Sequence, residues 1–217
     1  MDADVSDPQH AREIPSDLDG IGDRLREERV KAGISQRELA RRLGLSPSLI
    51  SQLESGLSKP SVGTLYAIVT ELGLSLDRVI RGEDFSADAT PAVVTDRTRS
   101  PLVHPGERQV IDLASGVRWE ELTADTEDGV DFLHAIYDVG GTSTPDESLM
   151  RHHGREYGYI MSGQLGVQIG FQTYELDPGD SIAFDSTQPH RLYNRGDEPV
   201  HAIWFVVGRS ADSRAGD

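Results

Sequence analysis

Cysteine is missing from all 217 residues, which removes disulfides and thiolate metal ligands from consideration. Any metal must then be held by His, Asp or Glu, and the absence fits a cytoplasmic setting. No apolar run comes near the roughly 18 residues that a membrane helix needs, so no membrane partner is expected. The opening stretch MDADVSDPQHAREIPSD is acidic and carries no hydrophobic segment, unlike a secretory signal. Lysine is absent from residues 83–217, so an anionic ligand held there must turn to Arg151, Arg155, Arg191 or Arg195.

What is present divides by charge. The chain carries a net −16, which argues against a general nucleic-acid coat. Residues 21–62 nevertheless hold eight Lys and Arg against five Asp and Glu, whereas 83–130 and 131–208 each hold eleven acids and four bases. A slightly basic island in an acidic chain can bind phosphates locally while the remainder discourages loose binding. The length accommodates two modest domains, and five segments are expected. These are a disordered acidic N-terminus (1–16), a helical domain (17–82), a linker (83–105), a β domain (106–209) and a disordered tail (210–217).

Residues 17–82 read as five short helices. The first runs from Ile21 to Lys31 and stops at Gly33. Ser35 opens the second with Glu38 placed for a reciprocal capping box. Ser46 and Pro47 open the third after Gly44. Gly56 ends it, Ser61 opens the fourth, Gly73 ends that, and Ser75 opens the last. Leu25, Leu39, Leu43, Ile50, Leu53, Leu65, Ile68 and Leu72 recur at helical spacing and supply a core.

The turn LGLS joins two of these helices into a helix-turn-helix, whose second helix is shaped for the major groove. Pro47, Ser48, Ser51, Gln52 and Ser55 face outward from it, all short or hydrogen-bonding, and suited to base edges and phosphates. Arg37, Arg41, Arg42 and Lys59 surround that face. The stretch SQRELARRLGLSPSLISQLESGLSKPS resembles the phage-repressor type of helix-turn-helix, the Xre family. The resemblance implies that Gln36, Pro47, Ser48, Ser51 and Gln52 approach double-stranded DNA, and that Arg29 and Glu54 pair inside the domain.

From Glu83 to Pro105 the chain is polar and Pro-containing, a linker with one short strand expected at Ala92 to Thr95. Nine short strands then follow, separated by Gly, Pro and Asp: QVIDLA, VRWEEL, FLHAIYDV, YGYIMS, LGVQIG, TYEL, SIAF, HRLYN and VHAIWFVVG. Such spacing predicts a closed barrel or jelly roll, giving an α+β protein of one all-α and one all-β domain.

RHHGREYGYIMSG places His152 and Glu156 at the start of one strand, and His190 comes from another. Two imidazoles and a carboxylate form a facial triad suited to a divalent metal, iron(II), zinc or nickel. An organic ligand on the same side chains, or a purely structural barrel, are the competing readings. Either His152 or His153 is free to be the ligand, and His134 and His201 read as structural or pocket-lining. From roughly Asp131 to Arg209 the chain resembles the cupin superfamily, through His152, Glu156 and Gly163, then Pro178, Gly179, Asp180, Pro189, His190 and Asn194. It departs at Met150, where that pattern has a further histidine, and at Thr144, Asp185 and Thr187. Only a three-residue metal site is implied.

The combination predicts a homodimeric transcriptional regulator, joined through its barrels, that senses a small polar or anionic effector. Arg151 and Arg195 are expected to approach the effector opposite an apolar wall including Ile160 and Phe184, with Gly158 leaving room beside Glu156. The alternative is a mononuclear non-haem iron enzyme similar to a phosphonate epoxidase, which combines the same two domains.

Overall fold

The computed structural model describes residues 20–74, 76, 79, 101–124 and 129–208. Four helices lead: α1 (Ile21–Lys31), α2 (Gln36–Leu43), α3 (Pro47–Glu54) and α4 (Val62–Leu72). A fifth helix, expected from Ser75, falls mostly outside the described residues, as does the strand expected at Ala92 to Thr95. Side-chain caps start three of the four: the hydroxyls of Ser35, Ser46 and Ser61 accept from the amides of Glu38, Leu49 and Thr64. The reciprocal half of the box at Ser35 gives way to a stronger attraction, because Arg41 and Arg42 hold the Glu38 carboxylate at 2.7–2.9 Å. Gly44, at φ 68°, ends α2 and makes the turn into α3.

Nine strands follow: β1 (Val110–Leu113), β2 (Val117–Glu121), β3 (Val130–Tyr137), β4 (Arg155–Ser162), β5 (Leu165–Ile169), β6 (Gln172–Leu176), β7 (Ser181–Asp185), β8 (His190–Tyr193) and β9 (Val200–Val207). They form a six-stranded antiparallel sheet in the order β1-β2-β3-β9-β4-β7 and a three-stranded one in the order β6-β5-β8. Alternate residues of β3, β4 and β9 are buried, which is the period expected of strands with one face on a core. Leu133, Ala135, Tyr137, Glu156, Gly158, Ile160, Ala202, Trp204 and Val206 lie on that inner face.

Buried apolar residues of the helices and the barrel make one continuous cluster. Helix α4 meets the barrel through its backbone as well. The Gly63 amide donates to Ser143 O (3.1 Å), and the Ala114 amide donates to Pro60 O (2.9 Å). A Cβ on Gly63 would stand 2.9 Å from Thr144 Cγ2 and 3.5 Å from Met150 Cβ, so a larger residue would have to push Thr144 aside. No helix among the described residues is long and apolar enough to cross a membrane.

Candidate functional site

The inner face of β4 presents Glu156, and the loop before β4 and the start of β8, in the three-stranded sheet, bring two imidazoles to it. His152 lies in the loop just before β4 rather than at the strand's start, tied by its amide to Ser186 O at 3.0 Å. His190 is the first residue of β8, and its backbone exchanges two hydrogen bonds with Met150, at 2.8 and 2.9 Å. Glu156 Oε1 stands 2.9 Å from His152 Nε2 and 3.0 Å from His190 Nε2, and all three side chains are buried. His153, by contrast, is exposed, so His152 is the residue placed at the triad.

The hydrogen bonds around the triad fix what its inner atoms can be. His152 Nδ1 lies 3.0 Å from His153 O, and His190 Nδ1 lies 2.8 Å from Gln188 O. A carbonyl only accepts, so each Nδ1 carries the hydrogen and each Nε2 of a neutral ring presents a lone pair. Glu156 Oε2 accepts from Trp204 Nε1 at 2.7 Å, which turns Oε1 toward the imidazoles. Three acceptors thus converge, and His152 Nε2, His190 Nε2 and Glu156 Oε1 have no hydrogen-bond partner among the described residues.

Acceptors packed this closely need positive charge between them. Burial opposes ionisation of Glu156, but the two imidazoles overcome it and hold its carboxyl below the usual carboxylate range. Burial likewise lowers the His190 pKa, and the Glu156 carboxylate outweighs this and raises it. One proton satisfies one imidazole–carboxylate pair and leaves the other imidazole unmatched. A divalent cation satisfies all three at once, and the three donor atoms lie within 4.8 Å of one another. The donor set therefore fits a metal, with each Nδ1 and Oε2 anchored from behind as metal ligands commonly are.

The surroundings of the triad differ from the expected pocket at several points. Gly158 leaves no room for a ligand beside Glu156. A Cβ there would stand 2.1 Å from Trp204 Cζ3, so the missing side chain accommodates the indole that holds Glu156. Ile160 and Phe184 are both buried, and the Phe184 ring lies edge-on to His190 with centroids 5.0 Å apart. Arg151 and Arg195 are exposed; Arg195 lies over the Tyr193 ring at 4.6 Å and beside Glu147. Among the described residues, neither arginine is hydrogen-bonded or ion-paired to the triad. His134 and His201 share a hydrogen bond of 3.0 Å on the outer face, with His134 also on Glu120, a structural network away from the inner face.

Four residues near the site escape a reading by motif. Trp204 holds Glu156, and the pairing of a glycine with a tryptophan across strands was its only signal. The Tyr66 ring, from α4, stacks on His152 with centroids 4.3 Å apart and planes 23° apart. The Tyr137 phenol is wholly buried, and burial together with the Glu156 charge pushes its pKa up. Ser186 Oγ is fully buried without a partner among the described residues.

The second surface lies on the helices. Pro47, Ser48, Ser51, Gln52 and Ser55 are all exposed along α3, while Ile50, Leu53 and Glu54 turn inward. Arg37 and Lys59 are exposed beside them, and Lys59 lies 3.7 Å from Asp112 of the barrel. Gln36 is half-buried and donates to Glu54 Oε2 at 2.7 Å, so its amide nitrogen is committed inside the domain. Arg29 Nη2 donates to the same carboxylate oxygen at 2.9 Å, forming a buried pair that fastens α1 to α3.

The helix-turn-helix family model matches residues 25–79, and the cupin domain model matches 133–206. The chain is 29% identical over 174 residues to the HTH-type transcriptional regulator PuuR of Escherichia coli, covering 80% of this chain and 86% of that one. It is 25% identical over 186 residues to the HTH-type transcriptional regulator SutR of the same organism, covering 82% and 88%. A solved HTH_3 family transcriptional regulator from Vibrio cholerae shares the fold at a TM-score of 0.60 and 22% identity, over 87% of this chain and 94% of that one.

Proposed function

We propose that this chain, a DNA-binding transcriptional regulator with an Xre-type helix-turn-helix and a C-terminal cupin domain, senses a small polar or anionic effector through a metal-bearing barrel. It is a regulator rather than an enzyme. The observation that carries the sensing half is the convergence of His152 Nε2, His190 Nε2 and Glu156 Oε1 with no donor among them. These three residues would hold one divalent ion, iron, zinc or nickel, whose open positions would supply Lewis acidity to an incoming ligand oxygen. The Phe184 ring, edge-on to His190, would exclude water from that side. Arg151 and Arg195, both exposed, would meet an anionic effector at the surface rather than at the triad, with Arg195 already beside Glu147.

On the DNA side, the exposed row Pro47, Ser48, Ser51, Gln52 and Ser55 reads bases and phosphates. Arg37 and Lys59 hold the backbone, and Gln36 contributes through its free carbonyl oxygen. One such unit makes few contacts, so the working species is a cytoplasmic homodimer whose half-sites lie about 34 Å apart. The outer face of the six-stranded sheet favours pairing through the barrels: Tyr157, Tyr159 and Met161 are exposed there in a row on β4.

Two measurements test the reading together. Elemental analysis of protein purified anaerobically with metal supplied should find about one metal per chain in the wild type and little in His190→Ala. Selection of genomic fragments on the wild-type protein should return a sequence with two-fold symmetry, whose affinity shifts when the effector is added. Equal metal in both proteins sinks the metal half. A candidate metabolite that is consumed at a metal-dependent rate, with operator affinity unmoved, replaces the sensor with an enzyme.

A further inference from the structure

We propose that Tyr66, on helix α4 of the DNA-reading domain, belongs to the metal site: its ring seats on His152, so that filling the triad tightens the docking of the helical domain on the barrel. This rests on the reading of the triad as a metal centre.

The ring of Tyr66 touches two residues of the barrel. Its ring lies flat on His152, and it meets Trp119 of β2 at 5.6 Å between centroids. The side chain is buried, although it projects from a helix whose other inward residues, Leu65, Ile68 and Val69, serve the helical core. One turn earlier, Gly63 brings the backbone of α4 against Ser143 and Thr144. Those residues begin the strip that ends on His152. The strip is hydrogen-bonded along β8, through Ser143 to Leu192 and through Met150 to His190. Helix α4 therefore rests on one triad ligand directly and lies one hydrogen-bonded layer from another. At its far end it reaches the DNA-reading helices, where Arg42 of α2 donates to Glu71 at 2.8 Å.

Ligation gives this stack a sign. A neutral imidazole on a phenol is held mainly by dispersion. When Nε2 binds a divalent cation the imidazole loses electron density and carries part of the charge. A positively charged ring over the electron-rich face of tyrosine is attracted in the manner of a cation–π pair, and the seat is desolvated. Metal binding and docking are then linked, so each strengthens the other by the same factor, roughly 2- to 30-fold on the usual range for such contacts. Docking in turn fixes where each recognition helix stands on its barrel, and hence the spacing of the pair in a dimer.

The test uses full-length wild type, Tyr66→Ala and Tyr66→Phe, with cobalt(II) alone as the probe. Visible absorption of bound cobalt reports affinity, and hydrogen–deuterium exchange over residues 60–72 reports docking. Adding cobalt to wild type should slow exchange in that segment and leave the β5–β6 hairpin unchanged. Tyr66→Phe, which keeps the ring, should behave alike. Tyr66→Ala should bind cobalt roughly 2- to 30-fold more weakly, with exchange in α4 no longer responding. Wild-type cobalt affinity in a folded Tyr66→Ala overturns the inference and leaves the metal reading standing. So does unchanged α4 exchange in the cobalt-loaded wild type, which needs no variant to fold. Failure of the folded wild type to bind cobalt removes the metal reading, and this inference falls with it.

Discussion

The indole nitrogen of Trp204 donates to Glu156 Oε2 at 2.7 Å, from a ring that lies where Gly158 has no side chain. The bond commits one carboxylate oxygen to the sheet and frees the other for the two imidazoles. Replacing the indole with a ring of similar shape but no donor isolates this contribution. Trp204→Phe should fold and should lose about 10- to 100-fold in metal affinity, as loss of an outer hydrogen bond to a metal ligand commonly does. Competition against a chromophoric chelator measures it, and wild-type affinity would mean that Glu156 needs no such support.

Gly158→Ala attacks the same contact from the other side. The new methyl group would stand 2.1 Å from Trp204 Cζ3, so the indole must move. A loss of about 1–3 kcal/mol in urea unfolding is expected, the range for overpacked cores. Metal content should fall with it. Unchanged stability together with unchanged tryptophan fluorescence would show that the sheet yields instead of the ring.

Gln52→Ala should weaken binding to the selected operator by about 1–3 kcal/mol and relax preference at one base position. Arg37→Ala should act differently, weakening all sequences alike and lowering the slope of affinity against salt by about one. Gel shifts at several salt concentrations separate the two. A Gln52→Ala protein that is folded and keeps full specificity would remove Gln52 from the reading face.

The Arg29–Glu54 pair gives an acid limb to stability. Burial alone would raise the Glu54 pKa, but hydrogen bonds from Arg29 and Gln36 outweigh it, and the group ends below its ordinary value of 4.5. A depressed carboxyl contributes stability that is present above the unfolded value and is lost as pH falls toward the folded one. Unfolding of the helical domain should therefore ease below about pH 4.5 in wild type. In Glu54→Gln that limb should flatten, at a cost of about 3–5 kcal/mol near neutrality for stranding the Arg29 charge. Parallel acid limbs in the two proteins would contradict the assignment.

Local signals in the sequence carried the elements well, because they are local in the structure too. Ser35, Ser46 and Ser61 cap the helices from within three residues, and the alternation in FLHAIYDV is the pleat of β3 itself. The triad was legible for a related reason: His152 and Glu156 are near neighbours, and His190 sits at a strand end. What stayed hidden depends on pairs far apart in the chain. Trp204 meets Gly158 only through the β4–β9 register, and Tyr66 meets His152 only once α4 has docked. Neither residue looks unusual where it stands. Glu38 was misplaced by a nearer competition, since two arginines offered its carboxylate more than one backbone amide did.

Helix α4 and the turn leading into it share backbone hydrogen bonds with the barrel, at Gly63 and at Pro60, over a surface where a β-carbon on Gly63 would press on Thr144. A helical domain joined to its barrel in this way is not a free module. Transplanting residues 20–74 onto another barrel would strand those polar groups and set Gly63 against an unfitted wall. A change in α4 would then need a matching change in the strip from Ser143 to His152, whereas the outward row on α3, being exposed, carries no such constraint.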